Sequence, residues 1–255
     1  MGRIISVVNQ KGGVGKTTTC VNLAYSLNQI GVKTLLCDFD PQGNCTSGFG
    51  VDRTSQSNSI YDAIINGTNI KKTIVTTPYG DIIPSSKGLA GAGVEMVQLD
   101  KREYLLKESL SQVANSYDIL LIDCPPSLEM LTVNALCAAD GLIVPVQCEY
   151  YALEGLSDLM STVRIVKRSL NPTLELDGVL LTMYDGRTML SMQVAEEVKR
   201  HFAGKVYPVV IPRNVRLSEA PSHGKPALVL DKYAKGAKAY MKLAEYVKKQ
   251  IKNKR

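Results

Sequence analysis

No run of about 18 consecutive apolar residues occurs in the chain, which excludes a membrane-spanning helix of ordinary length. From Met1 the sequence passes through Arg3 straight into a short apolar run, without the layout of a secretory leader. A cytoplasmic protein is expected. C-x-x-C and other metal-ligand spacings are also missing: Cys20, Cys37, Cys45, Cys124, Cys137 and Cys148 are scattered, most of them in apolar segments. That pattern points to buried or incidental thiols in a reducing compartment rather than to disulfides or a metal ribbon. There is no internal repeat and no long low-complexity linker.

What is present suffices for one α/β core. The chain has 255 residues, 45% of them hydrophobic, and a single domain over residues 1–255 is the expectation. The net charge of +6 is unevenly distributed. Residues 1–179 carry 14 Lys and Arg against 18 Asp and Glu, whereas residues 180–255 carry 16 against 6. So basic a block suits a polyanion, although a solvated surface would have the same composition.

Hydrophobic patterning alternates between short β-rich runs and helical periods. Strands are expected at Arg3–Asn9, Lys33–Asp40, Asp81–Ile83, Asp118–Asp123, Gly141–Val146, Gly178–Met183 and Val206–Ile211. Helices are expected from Lys16 to a cap near Gly31, then at Ser59–Ile65, about Val94–Ala114, Ser127–Ala138, Leu153–Leu170, Ser191–Phe202 and Ala234–Lys252. This order implies a doubly wound α/β fold with a mostly parallel sheet and helices on both faces. The last helix, apolar on one side and lysine-rich on the other, reads as a closing helix packed on the sheet; an interfacial membrane helix is the alternative.

The stretch VVNQKGGVGKTTT, Val7 to Thr19, lies where the first strand meets the first helix. A phosphate loop needs that context, because backbone N–H groups and the positive end of the helix converge on an anion. Gly12, Gly13 and Gly15 let the backbone approach closely, Lys16 reaches the terminal phosphates and the Thr17 hydroxyl coordinates Mg²⁺. The usual pattern has glycine where this chain has Gln10, and Lys11 is an extra cation. ILLID, ending at Asp123, supplies a strand-end acid for the metal, and Asp38 and Asp40 end the second strand on the same edge.

KGGVGKTT, DFDPQGN, LLIDCPPS, PVQCEYYALEGL and VIPRNVRLSEAPSHGKP occur in this order through nearly the whole chain. Together they resemble the ParA/Soj family of chromosome- and plasmid-partitioning ATPases, a phosphate-loop class with a deviant Walker A motif. The resemblance implies ATP and Mg²⁺ as cofactors, slow hydrolysis, and an ATP-dependent homodimer in which Lys11 reaches the partner's nucleotide, as an arginine finger does. It makes Lys11, Lys16 and Asp40 the catalytic set, with Asp40 polarising the attacking water. Nucleotide contacts fall on Lys11, Gly12, Gly13, Val14, Gly15, Lys16, Thr17, Thr18 and Asp38, and around the adenine on Met183, Pro212 and Asn214. Metal contacts fall on Thr17, Asp40 and Asp123.

The same resemblance implies nonspecific binding of double-stranded DNA through Arg187, Arg213 and Arg216, a ParB-like partner that stimulates hydrolysis, and a place on the nucleoid. The chain starts at its first strand, without the N-terminal helix-turn-helix extension of larger plasmid relatives. MinD-like membrane ATPases share the loop, but the tail KAYMKLAEYVKKQIKNKR lacks a bulky apolar tip. Cluster-carrying relatives bridge subunits with cysteines, which makes Cys124 and Cys148 positions to examine.

Overall fold

Arg3–Val7 (β1) reads RIISV, β-branched and apolar, and four of its five residues are buried. A strand covered on both faces has this composition, and β1 is an interior strand of a seven-stranded sheet, between β5 and β6. The computed structural model describes residues 2–53 and 56–254. After β1 come α1 (Lys16–Gln29), β2 (Thr34–Asp38), α2 (Asn44–Gly48), α3 (Ile60–Ile64), β3 (Val75–Thr77) and β4 (Gly80–Ile83). The middle of the chain forms α4 (Leu89–Glu95), α5 (Leu105–Ser111), β5 (Ile119–Asp123), α6 (Met130–Ala138), β6 (Gly141–Gln147) and α7 (Ala152–Ser169). The rest forms β7 (Glu175–Thr182), α8 (Met189–His201), α9 (Val215–Glu219), α10 (Ala227–Leu230) and α11 (Lys235–Lys254).

The strand order is β3-β4-β2-β5-β1-β6-β7, parallel throughout except for the β3–β4 hairpin. The chain winds out from β1 on one side through β2 and β4, then returns through β5 to build β6 and β7 on the other. A crevice therefore opens at the carboxyl end of β1, where connections leave in opposite directions. Successive side chains point to opposite faces, so the strands feed two cores. Ile5, Val7, Leu36, Leu121, Ile143 and Leu180 pack towards α1 and α11. Ile4, Leu35, Ile122, Leu142, Val144 and Leu181 pack on the other face, towards α5 to α8.

Helix α1 buries Cys20, Leu23, Ala24 and Leu27, and Gly31 beyond its end adopts φ 74°. That left-handed residue turns the chain back, with Val32 donating to the Leu27 carbonyl at 3.0 Å. Helix α11 spends its apolar stripe on α1 and the sheet: Ala237, Tyr240, Leu243, Ala244, Val247 and Ile251 are all buried. The Tyr240 hydroxyl meets that of Thr19 at 3.1 Å. It is the closing helix the pattern suggested. No described helix is long and apolar enough to cross a membrane.

Two expected elements differ. Val206–Ile211 is not a strand: it runs beside β7 through isolated parallel bridges, Val179 to Val206 and, just beyond it, Tyr184 to Pro212. Pro208 and Pro212 have no N–H to donate, so the ladder cannot continue, though Tyr207 and Ile211 still donate to Val179 and Leu181 at 2.9 and 2.8 Å. The helix expected over about Val94–Ala114 is broken into α4, a 3₁₀ turn at Met96–Gln98, and α5, with a second 3₁₀ turn at Ala114–Ser116. Lys101, at φ 51°, is left-handed and incompatible with a continuous helix. The β3 strand, absent from the sequence reading, pairs with β4 across a turn that needs Gly80 at φ 134°.

Asn171 closes the end of α6. Its buried amide donates to the carbonyls of Leu136 at 2.9 Å and Ala139 at 2.8 Å, groups that the helix itself leaves open. Asn171→Ala is expected to lower the unfolding free energy by about 2 kcal/mol, the cost of stranding buried acceptors, as measured by urea denaturation.

A candidate nucleotide site at the carboxyl edge of the sheet

Strand register builds the floor of the site. Val7 pairs with Asp123 and Asp123 with Asp38, so the ends of β1, β5 and β2 stand abreast. The glycine loop leaves β1, and Gly13 and Gly15 adopt φ 75° and 92°, values that side-chain-bearing residues reach only with strain. Gly15 caps α1 with no side-chain hydrogen bond, so the first N–H groups of the helix face the crevice. Thr182, at the end of β7, donates to the Val14 carbonyl at 2.8 Å, and Asn9 both donates to Pro145 O at 2.8 Å and accepts from the Lys11 N–H at 2.9 Å. The loop is thereby tied to β6 and β7.

The two lysines occupy different places. Lys16 is 6% exposed, and its ammonium donates to the Lys11 carbonyl at 2.8 Å. Burial lowers its pKa, with the charge of Asp123 the largest opposing influence. Lys11 points outward to the rim, where its ammonium is ion-paired with Glu149 at the end of β6. Gln10 is held on the same side, its amide reaching Gly155 O at 3.4 Å and the Asp158 carboxylate at 3.3 Å. Sequence reasoning missed Glu149, Asn9 and Thr182, whose roles depend on which strand ends meet.

The three aspartates also divide. Asp38 accepts from the Thr46 N–H and hydroxyl at 2.7 and 2.6 Å and from the Asp40 N–H at 3.2 Å, so it organises the loop after β2. Asp40 accepts from Gln42 N–H at 2.9 Å, and Ser85 holds its backbone carbonyl at 2.7 Å. Asp123 is fully buried, and neither of its oxygens accepts a hydrogen bond of normal geometry. Burial raises its pKa and the charge of Asp38 adds to that; the Thr17 hydroxyl and the Lys16 ammonium oppose it. A buried carboxyl group without a regular hydrogen bond, beside a threonine hydroxyl and a buried lysine, suits a cation, whose charge would favour the ionised form. Among the described residues no cluster of three or more His, Cys, Asp or Glu forms a metal cage. A magnesium ion that keeps waters and phosphate oxygens does not need one.

Beside the loop lies a cavity of about 290 Å³ lined by Gly15, Thr18, Met183, Pro212, Asn214 and Tyr240, among others. It brings Met183, Pro212 and Asn214 together. Met183 sits at φ 50°, and the Asn214 side-chain oxygen is buried without a donor. Arg213 lines the same cavity, whereas Arg187 and Arg216 do not; the Arg213 N–H donates to Tyr184 O at 3.2 Å, which ties the two segments that carry the three arginines. All six cysteines are free and buried. Cys124 and Cys148 therefore offer no outward pair with which to bridge a cluster between subunits.

A glycine loop between strand and helix, a buried lysine at its end and strand-end aspartates at a topological switch point define a phosphate-loop α/β protein. Residues 2–176 match the AAA domain family. The sporulation initiation inhibitor protein Soj of Bacillus subtilis (strain 168) is 53% identical over 97% of this chain and 98% of its own length. The chromosome partitioning protein ParA of Myxococcus xanthus (strain DK1622) is 49% identical over 98% of this chain and 89% of its own. The solved structure of cobyrinic acid a,c-diamide synthase from Mycobacterium smegmatis, with bound ADP and magnesium, matches at a TM-score of 0.88 and 35% identity, covering 100% of this chain and 97% of that one. The chain belongs to the ParA/Soj family of partitioning ATPases.

The raised pKa of Asp123 carries a sign. Its unfolded value lies near 4, so the folded protein is penalised progressively as pH rises from there through the folded value. Asp123→Asn removes that penalty. In EDTA, without nucleotide, the variant is expected to be more stable than wild type at pH 8 and to lose that advantage as the pH falls to 4, as read by urea melts at both pH values.

Proposed function

We propose that the protein is a Mg²⁺-dependent ATPase that forms an ATP-bridged homodimer, binds double-stranded DNA without sequence preference in that state, and releases it when a ParB-like partner stimulates hydrolysis. The observation that carries this reading is the arrangement of charge at the glycine loop: one lysine buried within, a second on the rim, and an unpartnered carboxylate behind.

ATP supplies groups for each of these. The N–H groups of Gly12 to Thr18 and the Lys16 ammonium serve the phosphates, and Lys16 gives up only its bond to the Lys11 carbonyl. Thr17, Asp40 and Asp123 are the groups that would hold magnesium, Asp123 through water; the ion, when bound, offsets phosphate charge. The unpartnered Asn214 oxygen is an acceptor suited to an exocyclic amine such as that of adenine, with Met183 and Pro212 as apolar walls. Asp38 fixes the loop that carries Asp40, and Asp40 orients the attacking water. Hydrolysis then requires positioning and electrostatic stabilisation, with no covalent intermediate.

Lys11 serves the neighbouring subunit. Its ammonium faces out of its own loop towards Glu149, next to Tyr150 and Tyr151, which are 77% and 63% exposed. Two large aromatics standing in solvent beside a rim lysine suit a second copy of the chain, with the nucleotides between the copies. DNA binding falls to the basic C-terminal block and to Arg187, Arg213 and Arg216. The expected place of work is the nucleoid.

Lys11→Ala is expected to keep ATP binding while losing about 10³-fold in partner-stimulated kcat, the scale of a cation supplied in trans. Asp40→Ala is expected to accumulate as an ATP-bound dimer on DNA. Phosphate-release assays and size-exclusion chromatography with ATP, Mg²⁺ and DNA measure both. Wild-type turnover in Lys11→Ala would overturn the two-subunit mechanism, and wild-type turnover in Asp40→Ala would remove the role of that residue.

A further inference from the structure

Two of the three surface arginines singled out from the sequence are already engaged. Arg187, with 89% of its side chain exposed, clasps Asp185 in a two-pronged pair, Nε to Oδ1 at 2.9 Å and Nη2 to Oδ2 at 2.7 Å. Arg216 donates from Nη1 to Glu219 at 2.7 Å and lies 3.6 Å from Asp231 through Nε. A guanidinium presents parallel donors to two coplanar oxygens, and it makes the same fork with a carboxylate as with the two free oxygens of a phosphodiester. Asp185 is held in place for this: it is only 20% exposed, and its Oδ1 also accepts the Arg187 N–H at 3.1 Å. Lys235, Lys238 and Lys242 on α11, by contrast, are exposed and make no ion pair among the described residues.

We infer that Asp185 and Glu219 are built-in stand-ins for DNA phosphates, Asp185 filling the Arg187 fork and Glu219 engaging Arg216 through one prong, so that duplex DNA binds by exchanging phosphate for carboxylate. This rests on the DNA-binding reading above and specifies how that surface is tuned. Each arginine contributes only the difference between two similar partners, and the displaced carboxylate remains beside the incoming phosphate. Attraction at a distance comes from the unpaired lysines, while the arginines report close contact. Affinity stays low enough for rapid release. In a homodimer each exchange occurs twice, which doubles its effect on the logarithm of the affinity.

The test uses the full chain, ATP and Mg²⁺, with dimer formation checked by light scattering and binding to a random-sequence duplex measured by fluorescence anisotropy from about 50 to 200 mM salt. Asp185→Asn keeps the oxygen that accepts the Arg187 N–H, and Glu219→Gln is a solvent-facing isostere. The double variant is expected to bind roughly 10-fold more tightly at about 0.1 M salt, with a steeper salt dependence. In an Arg187→Ala/Arg216→Ala background the same two substitutions are expected to change affinity less than 2-fold. Unchanged or weaker binding by the carboxylate variant, while wild type binds, would overturn the inference, as would equal tightening in the arginine-free background, which would mark a general charge effect. Failure of the wild-type dimer to bind DNA even at low salt would overturn the DNA-binding reading itself, and the exchange with it.

Discussion

A buried lysine and two fully buried aspartates meet at the ends of adjacent parallel strands, and the rest of the structure accommodates the cost of keeping them there. Removing such charges from water is unfavourable unless each finds a partner. Asp38 finds Thr46 and the Asp40 N–H, and Lys16 finds a carbonyl of its own loop. Asp123 finds no regular hydrogen bond. A stability-optimised protein would place a neutral residue at that position. An unmatched carboxylate at a glycine loop is intelligible if the missing partner arrives with the ligand.

The loop is held from several sides because its geometry is otherwise unfavourable. Left-handed glycines and an uncapped helix end leave backbone donors exposed, and a flexible loop would satisfy them with water. Thr182 from β7 and Asn9, which bridges to β6, prevent that by fixing carbonyls and N–H groups that the loop itself cannot pair. Gln10, which departs from the usual glycine, adds a tie to α7. The departure therefore fastens the loop on the side where Lys11 and Glu149 meet.

Much of this was legible from sequence because it is local or periodic. Five of the seven expected strands coincide closely with observed ones, β7 begins slightly earlier, and the phosphate loop is where its motif places it. Periodicity failed where single residues overrode it. Val206–Ile211 has the composition of a strand but carries Pro208, with Pro212 directly after it, and the region between α4 and α5 is broken at Lys101. The pairing of Lys11 with Glu149 joins residues far apart in the chain, so no local pattern reveals it. The pairs Arg187–Asp185 and Arg216–Glu219 were visible as short spacings, yet only side-chain geometry separates a clasped arginine from a free one.

The cavity beside the glycine loop and the arginine surface are built from the same two pieces of backbone. One runs from Thr182 and Met183, which line the cavity, to Asp185 and Arg187; the other runs from Pro212 and Asn214, also cavity-lining, to Arg216. They are stitched together by Tyr184 N–H to Ile211 O at 3.0 Å and Arg213 N–H to Tyr184 O at 3.2 Å. Met183 is the strained point of the first piece, a left-handed residue between the cavity and the Asp185 turn. A base filling the cavity, as proposed, would press on Arg213 itself and on residues within four positions of Arg187 and Arg216. Under the proposed function, coupling between nucleotide and DNA would need no relay through the core: a difference in free energy between two settings of these short segments would suffice.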